Sequence, residues 1–363
     1  MQTESLSEED RRYLHAASRF ALRHAGLTAE NPAVGCLIVR DGRIVGRGVT
    51  AFGGRPHAER VALDEAGPLA QGATAYVTLE PCAHHGRTPP CADALASAGV
   101  ARVVIGANDP DPRVDGQGIE RLRLQGVRVA VDASFRGNIG VEGFLTRMRR
   151  GRPFVTLKLA VSADGYIGHV DRGQVAISGA ISNRQTHLLR ARSDAIMVGI
   201  GTVLSDDPLL TVRLDGLSER KPKRLVIDPS LRTPRTSRLM QTAGDVPLLI
   251  ATTRADDVSV AVLEPRPVQL VPFGSELDAL RRLCAHLGQD GIGSILCEGG
   301  ARLAASLLAQ DLVDRIVIIQ SRNEIGGKGV SAPDLRSYLS AFEATRRLHF
   351  GDDRWVEYDR KSH

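Results

Sequence analysis

Two stretches, His57-Ala58-Glu59 and Thr78-Leu79-Glu80-Pro81-Cys82-Ala83-His84-His85-Gly86-Arg87-Thr88-Pro89-Pro90-Cys91, decide how the first half of the chain is read. The apolar run at 74–79 predicts a strand that ends at Glu80-Pro81-Cys82, and His57 opens a predicted helix reaching about residue 66. Cys91 falls at the start of another predicted helix, over 90–98 and closed by Gly99. One imidazole and two thiolates form a three-ligand zinc set whose fourth position is left to water, and the metal brings the pKa of that water toward neutrality. Glu59, two residues past the histidine, can reach such a water without binding the metal, which suits a proton carrier. Taken singly, each feature has an ordinary explanation. His-x-Glu is a common polar helix start, and buried cysteines usually serve as small core residues. A structural zinc site would be closed by a fourth ligand, which His84 or His85 could supply.

Outward from these residues the pattern is strand and helix in alternation, the mark of a layered α/β domain. A helix is predicted over 8–25 on the stripe Tyr13, Leu14, Ala17, Phe20 and Ala21. A hairpin follows, with Asp41-Gly42 between two apolar runs. Strands at 102–105 and 127–131 flank a helix at 119–125. Gly151-Arg152-Pro153 interrupts the series, with a linker expected across 146–152. A second series then begins. Its strands are predicted at 154–161, 195–199, 224–227, 248–251, 294–297 and 315–319, and its helices at 183–192, 277–287 and 302–308.

A chain of 363 residues suits two domains of this kind. No apolar run approaches the ~20 residues of a membrane span, and the acidic start lacks a secretory core, so a cytoplasmic protein is expected. The five cysteines are too few for a disulfide framework; Cys36, Cys284 and Cys297 are expected in the core. A pI near 9.1 invites a nucleic-acid reading, so the charge has to be located. Residues 1–150 carry 19 Arg, no Lys and 17 acids, and the remainder 28 basic and 25 acidic residues, so the excess is spread evenly. Aromatic residues for stacking bases amount to 4 %, which disfavours a nucleic-acid binder and points the arginines toward a phosphorylated small molecule.

His-x-Glu with a later Pro-Cys-x-x-Cys is the signature of zinc nucleobase deaminases, but here the cysteines stand nine apart. With Asn31-Pro32-Ala33-Val34-Gly35 and Tyr76-Val77-Thr78-Leu79-Glu80-Pro81-Cys82, the motif resembles the deaminase half of the bifunctional riboflavin-biosynthesis deaminase/reductase family, where the longer insert is the rule. That likeness spans about 10–148. No full Gly-x-Gly-x-x-Gly is present; Gly199-Ile200-Gly201-Thr202 is a fragment of one. Cys297-Glu298-Gly299-Gly300-Ala301-Arg302-Leu303 runs from strand to helix and could hold a phosphate or simply turn tightly. Three further stretches resemble the reductase half of the same family. They are Pro153-Phe154-Val155-Thr156-Leu157-Lys158-Leu159-Ala160, Leu189-Arg190-Ala191-Arg192-Ser193-Asp194-Ala195-Ile196 and Gly201-Thr202-Val203-Leu204-Ser205-Asp206-Asp207-Pro208.

The resemblance implies a cytidine-deaminase-like three-layer domain over 1–148 and a dihydrofolate-reductase-like α/β domain over 149–363. It implies zinc on His57, Cys82 and Cys91, with Glu59 catalytic, and a phosphorylated pyrimidine held by Asn31, His84 and Arg87. In the second half it implies NADPH along Ala160, Ala176, Thr202, Asp206, Gly300, Ala301, Arg302, Leu303, Ala304, Ala305 and Ser306. Substrate would lie on Gln174, Arg190, Leu210, Arg213 and Glu298, with the arginines on its phosphate, and a homo-oligomer is expected. Three positions depart from the family pattern. Thr50 stands where a histidine is usual, Asn183 where an arginine is, and Gln174-Val175-Ala176-Ile177-Ser178 replaces Ser-x-Trp-Ile-Thr. Three rivals accompany this reading: a nucleobase or RNA deaminase with an unrelated second domain, a non-catalytic zinc-stabilised module, and an active deaminase carrying a degenerate reductase half.

Overall fold

Asp41 and Gly42 both adopt positive φ, 51° and 72°, the type I′ turn that Asp-Gly favours. The turn folds strand β1 (Gly35–Arg40) back on β2 (Arg43–Val49). The computed structural model describes residues 5–84, 89–112, 114–132, 135, 140–254 and 268–361. It divides into two compact units, Met1–Gly151 and Arg152–His363.

In the first unit, helix α1 (Glu8–Ala21) starts from a capping box in which Ser7 and Asp10 satisfy each other's backbone amides. It stops four residues short of the expected end, in a run of turns. Asp10 also accepts the fork of Arg102 at 2.6 and 3.1 Å and the Tyr76 hydroxyl at 3.0 Å. Burial works against its charge, but these bonds prevail and hold the carboxyl well below the usual carboxylate range. They tie α1 to β3 (Thr74–Val77) and β4 (Arg102–Ile105). With β5 (Arg128–Val131) the sheet order is β2-β1-β3-β4-β5; the last three strands are parallel. Leu37, Val39, Tyr76 and Val104 pack against Leu14 and Ala17 of α1. The alternate residues Cys36, Ile38, Ala75, Val77, Val103 and Ile105 face helices α2 (Ala58–Ala66), α3 (Cys91–Ser97) and α4 (Gln117–Leu124). The sheet is thus sandwiched in three layers.

Arg147, Arg149 and Arg150, expected in a linker, instead form the last turn of α5 (Glu142–Arg150). Glu142 in its first turn and three arginines in its last complement the helix dipole, while Phe144 and Leu145 pack on the core. Arg152 belongs to the second unit, where it forms a buried pair with Asp314 at 2.6 and 2.9 Å.

The second unit opens with β6 (Phe154–Val161), β7 (Tyr166–His169), α6 (Ala180–Arg192) and β8 (Ala195–Gly199). Next come α7 (Ile200–Asp206), β9 (Lys223–Ile227), α8 (Arg238–Gln241), β10 (Leu248–Thr252) and β11 (Val268–Pro272). Then follow α9 (Ala279–Gln289), β12 (Ser294–Cys297), α10 (Ala301–Ala309) and β13 (Arg315–Gln320). The chain closes with β14 (Gly329–Ser331), α11 (Arg336–Leu339), β15 (Phe342–Phe350) and β16 (Asp353–Arg360). Nine strands form one sheet in the order β11-β10-β9-β8-β12-β6-β13-β16-β15, while β7 and β14 pair separately. β11 through β13 run parallel, β16 runs antiparallel to β13, and β15 antiparallel to β16.

Val155, Leu157 and Leu159 of β6 meet α9 and α10 in the largest core, and Ile196, Val198 and Val226 meet α7 and α8 on the opposite face. Cys36, Cys284 and Cys297 are all fully buried, as expected. The β15–β16 hairpin has no counterpart among the predicted elements. Trp355 fills a small core there with Val317 and Ile319, and its indole N–H donates to Glu357 at 2.9 Å. Among the described residues no helix is long and apolar enough to cross a membrane.

Candidate functional site

His57 is the N-cap residue of α2, with extended backbone, and Glu59 lies in that helix's first turn. Cys82 follows β3, and Cys91 is the first residue of α3. These three elements bring His57 Nδ1 to 3.6 Å from Cys82 Sγ and 3.4 Å from Cys91 Sγ, with all three donor atoms within 4.8 Å of one another. An imidazole nitrogen and a thiolate on one tetrahedral zinc stand about 3.6 Å apart, given bond lengths of about 2.05 and 2.3 Å. The donor set therefore fits zinc in both chemistry and spacing. Among the described residues no fourth His, Cys, Asp or Glu joins the group, so His84 does not close it; His85 lies outside them. The Cys82 thiol is pulled down to about 4, first by the Cys91 thiol and then, against burial, by His57 and the Cys91 backbone amide at 3.3 Å. Cys82→Ser is expected to copurify without zinc and to lose deamination, checked by metal analysis beside ammonia release.

Glu59 is 4 % exposed and is not one of the ligand group. Burial pushes its carboxyl up to about 7, the range of a group that both takes and returns a proton. The Glu80-Pro81-Cys82 corner is held from behind. Glu80, 3 % exposed, accepts backbone amides of Asp109, Gly116, Gly118 and Ile119 at 3.0–3.3 Å. Gly118 permits this approach, since a Cβ there would lie 2.0 Å from the Pro81 carbonyl oxygen. Two residues past Cys82, the His84 ring Nδ1 is buried with no hydrogen-bond partner among the described residues. Arg87 lies outside the described residues. Asn31 packs over Gly54, whose absent Cβ would lie 2.1 Å from Asn31 Nδ2. Thr50 is structural, its buried hydroxyl accepting the Val34 amide at 3.0 Å.

The second unit carries a cleft of about 440 Å³. β12 inserts between β8 and β6, so successive connections leave the sheet in opposite directions there, and such a switch point opens a crevice at the strands' C-terminal ends. Ala160, Gln174, Ala176, Arg190, Thr202, Asp206, Leu210, Glu298 and Gly300 all line it, although they come from five separate segments. Asn183 lines it too, and its side-chain amide donates to the Ser178 carbonyl at 3.3 Å. Arg213 is exposed and outside the lining; its guanidinium bonds Thr211 Oγ1. Ala301 through Ser306 are not in the lining, and Leu303 and Ala304 are buried in the core, which leaves those two only main-chain groups to offer a ligand.

Arg190 grips Glu298 with both ends of its fork, Nε at 2.6 Å and Nη2 at 3.0 Å. Burial opposes the Glu298 charge, but Arg190 and then Lys158 outweigh it and keep its pKa low. Burial and then Arg190 and Arg213 push His187 down to about 4, so its ring is neutral near pH 7. Lys158, missed in the sequence as a site residue, lines the same cleft beside Glu298, and burial lowers its pKa. Its signal was a lysine facing away from Val155, Leu157 and Leu159 on a central strand.

The family model for the RibD C-terminal domain matches residues 153–356, and that for the cytidine and deoxycytidylate deaminase zinc-binding region matches 7–107. The riboflavin biosynthesis protein RibD of Escherichia coli is 42 % identical over 362 residues, covering 95 % of this chain and 98 % of that protein. That of Aquifex aeolicus is 37 % identical over 331 residues, 91 % of each. The solved structure of Acinetobacter baumannii RibD superposes with a TM-score of 0.83 at 32 % identity, over 98 % of this chain and 99 % of that one. A Thermotoga maritima structure, a diaminohydroxyphosphoribosylaminopyrimidine deaminase/5-amino-6-(5-phosphoribosylamino)uracil reductase, gives 0.78 at 29 % identity, covering 97 % and 99 %. The second half is therefore no unrelated domain, and the fold is a cytidine-deaminase-like unit followed by a reductase-like one. With its zinc triad and a 42 % identical relative that covers 95 % of it, across both halves, the chain belongs to the RibD family of bifunctional riboflavin-biosynthesis deaminase/reductases.

Proposed function

We propose that the first unit deaminates 2,5-diamino-6-(5-phosphoribosylamino)pyrimidin-4(3H)-one and that the second reduces the resulting 5-amino-6-(5-phosphoribosylamino)uracil with NADPH. The observation that carries this is the pairing of an open three-ligand zinc set beside buried Glu59 with a cleft whose polar groups converge on Lys158, Arg190 and Glu298. Zinc on His57, Cys82 and Cys91 supplies a water of lowered pKa. Glu59 takes a proton from the attacking water and returns it to the departing amine, so ammonia leaves and the ring gains a carbonyl. Asn31 orients the pyrimidine, and the unpartnered His84 ring nitrogen gives it a hydrogen-bond partner; Arg87 is assigned to its phosphate end.

Gly300, the N-cap of the nine-residue α10, has no side-chain cap, and among the described residues only Thr202 Oγ1, at 3.7 Å, comes near its absent Cβ. That open, amide-lined end suits a dinucleotide phosphate, with Thr202, Asp206, Ala160 and Ala176 along its length. NADPH supplies hydride to the open-chain carbon of the ribosylamine. Lys158, beside Glu298, gives the accompanying proton to the nitrogen, and Arg190, bonded to Glu298, orients it. Arg213 remains available for the phosphate.

Mixing the zinc-loaded chain with the diaminopyrimidinone ribotide, then with NADPH, and following masses tests both halves. Ammonia release with replacement of NH by O is expected first, then a gain of two hydrogens. Absence of ammonia defeats the deaminase assignment. A deaminated product that accumulates beside unconsumed NADPH defeats the reductase assignment alone and leaves the degenerate-reductase alternative.

A further inference from the structure

We infer that Arg224 is a positioning residue for reduction, shaping the loop 207–213 that walls the substrate side of the cleft; the inference rests on the functional reading above. Arg224, the second residue of β9, is fully buried, and among the described residues no carboxylate pairs with it directly, Asp245 acting only through space. Its guanidinium instead donates to four oxygens. They are Thr242 Oγ1 at 2.6 Å, Val246 O at 2.6 Å, Leu239 O at 3.1 Å and Leu209 O at 3.3 Å. An apolar side chain in its place would leave these buried oxygens without donors, at the desolvation cost of each group stranded. Nor can an apolar residue tie the Leu209, Leu239 and Val246 carbonyls to one rigid group, as the fork of arginine does.

The segment so held is unusual. Asp207 and Leu210 have φ of 39° and 51°, the left-handed region that side chains avoid, and such backbone persists where its surroundings enforce it. Every second residue is pinned. Asp207 Oδ1 accepts the Arg238 amide at 2.8 Å, and Leu209 O accepts Arg224. Thr211 O accepts Arg190 at 3.1 Å, and the Arg213 amide donates to His187 Nδ1 at 3.1 Å. Between those anchors Pro208 and Leu210 face the cleft. Arg224 reaches the loop from the core side and adds, beside the Arg238 amide, a second tie to α8 and a tie to the following turn.

Arg224→Lys keeps the cation and loses the fork. It is expected to raise the KM for 5-amino-6-(5-phosphoribosylamino)uracil about tenfold, the loss of one charged hydrogen-bond network at the wall. The KM for NADPH and the deamination rate stay within about twofold. Equal rises in both KM values, or an unchanged substrate KM in the folded variant, would overturn the inference. Where the lysine variant does not fold, the same split is measured on Thr242→Val, which removes one acceptor. A rise in substrate KM alone supports the assignment, and no change overturns it. A parent protein that does not reduce this substrate would instead defeat the functional reading.

Discussion

Glu59→Gln is expected to retain one zinc per chain and to release ammonia about a thousandfold more slowly than the parent, within the ~10²–10⁴ range of a lost general acid–base group. Glutamine matches glutamate in shape, so the pocket that buries residue 59 to 4 % exposure stays filled. It cannot accept the proton of the attacking water. The zinc is untouched because His57, Cys82 and Cys91 form the donor group without Glu59. Metal analysis and ammonia release on the same sample separate the roles. Loss of metal with loss of rate would make Glu59 a ligand, and an unchanged rate would reduce the zinc to a structural part. Reduction of the preformed deaminated substrate serves as the internal control, since its residues lie in the second unit.

Glu298→Gln is expected to abolish reduction, by at least about a hundredfold, while deamination continues. Glu298 is bound at 2.6 and 3.0 Å by Arg190, and both side chains are about nine-tenths hidden. Neutralising one member of a buried pair strands the other charge, at a cost of about 3–5 kcal/mol. Here two cations are stranded, Arg190 and Lys158, and both sit at the cleft. The guanidinium loses its bidentate partner, and Lys158 loses the charge that counters its desolvation, so its proton is held less firmly. Glu298→Asp, with the charge kept and the reach shortened, should recover part of the rate. Equal, complete loss in both variants would point to collapse of the fold, which a denaturant melt of the second unit would show. Undiminished reduction in Glu298→Gln would remove the pair from the mechanism.

The zinc centre was legible in the sequence because each ligand sits in a short motif, His57-Ala58-Glu59 or the stretch from Pro81-Cys82 to Cys91, whose residue types name the chemistry. His57 precedes a helix, Cys82 follows a strand and Cys91 starts a helix. Chemistry then joins three such points without needing the fold. The cleft has no comparable signature. Lys158, Arg190, Leu210 and Glu298 are separated by tens of residues, and only family likeness placed most of them together. Lys158 escaped because a single lysine in Val155–Val161 reads as an ordinary outward charge; that the other face of a central strand looks into a cleft is a tertiary fact. The β15–β16 hairpin was hidden because Glu343, Thr345, Arg346, Arg347 and His349 are exposed, which blurs the alternation of a half-buried strand. The arginines of α5 misled in the opposite sense: a basic cluster beside Gly151-Arg152-Pro153 looks like a tether, yet charge of that sign is what a helix end favours.

The insertion of β12 beside β6 has a consequence for how the protein is made. β6 pairs on one side with β12 and on the other with β13, so neither neighbour exists until residues 294–320 have been synthesised. At about 5–20 residues per second, the ribosome takes on the order of ten seconds to cross the intervening stretch. For that interval Phe154–Val161 emerges as an apolar strand with two unpaired edges, the form most prone to join another chain. The deaminase unit, whose last strand ends at residue 131, can close meanwhile. The same topology that opens the crevice makes the reductase half the slower and more vulnerable part of the nascent chain.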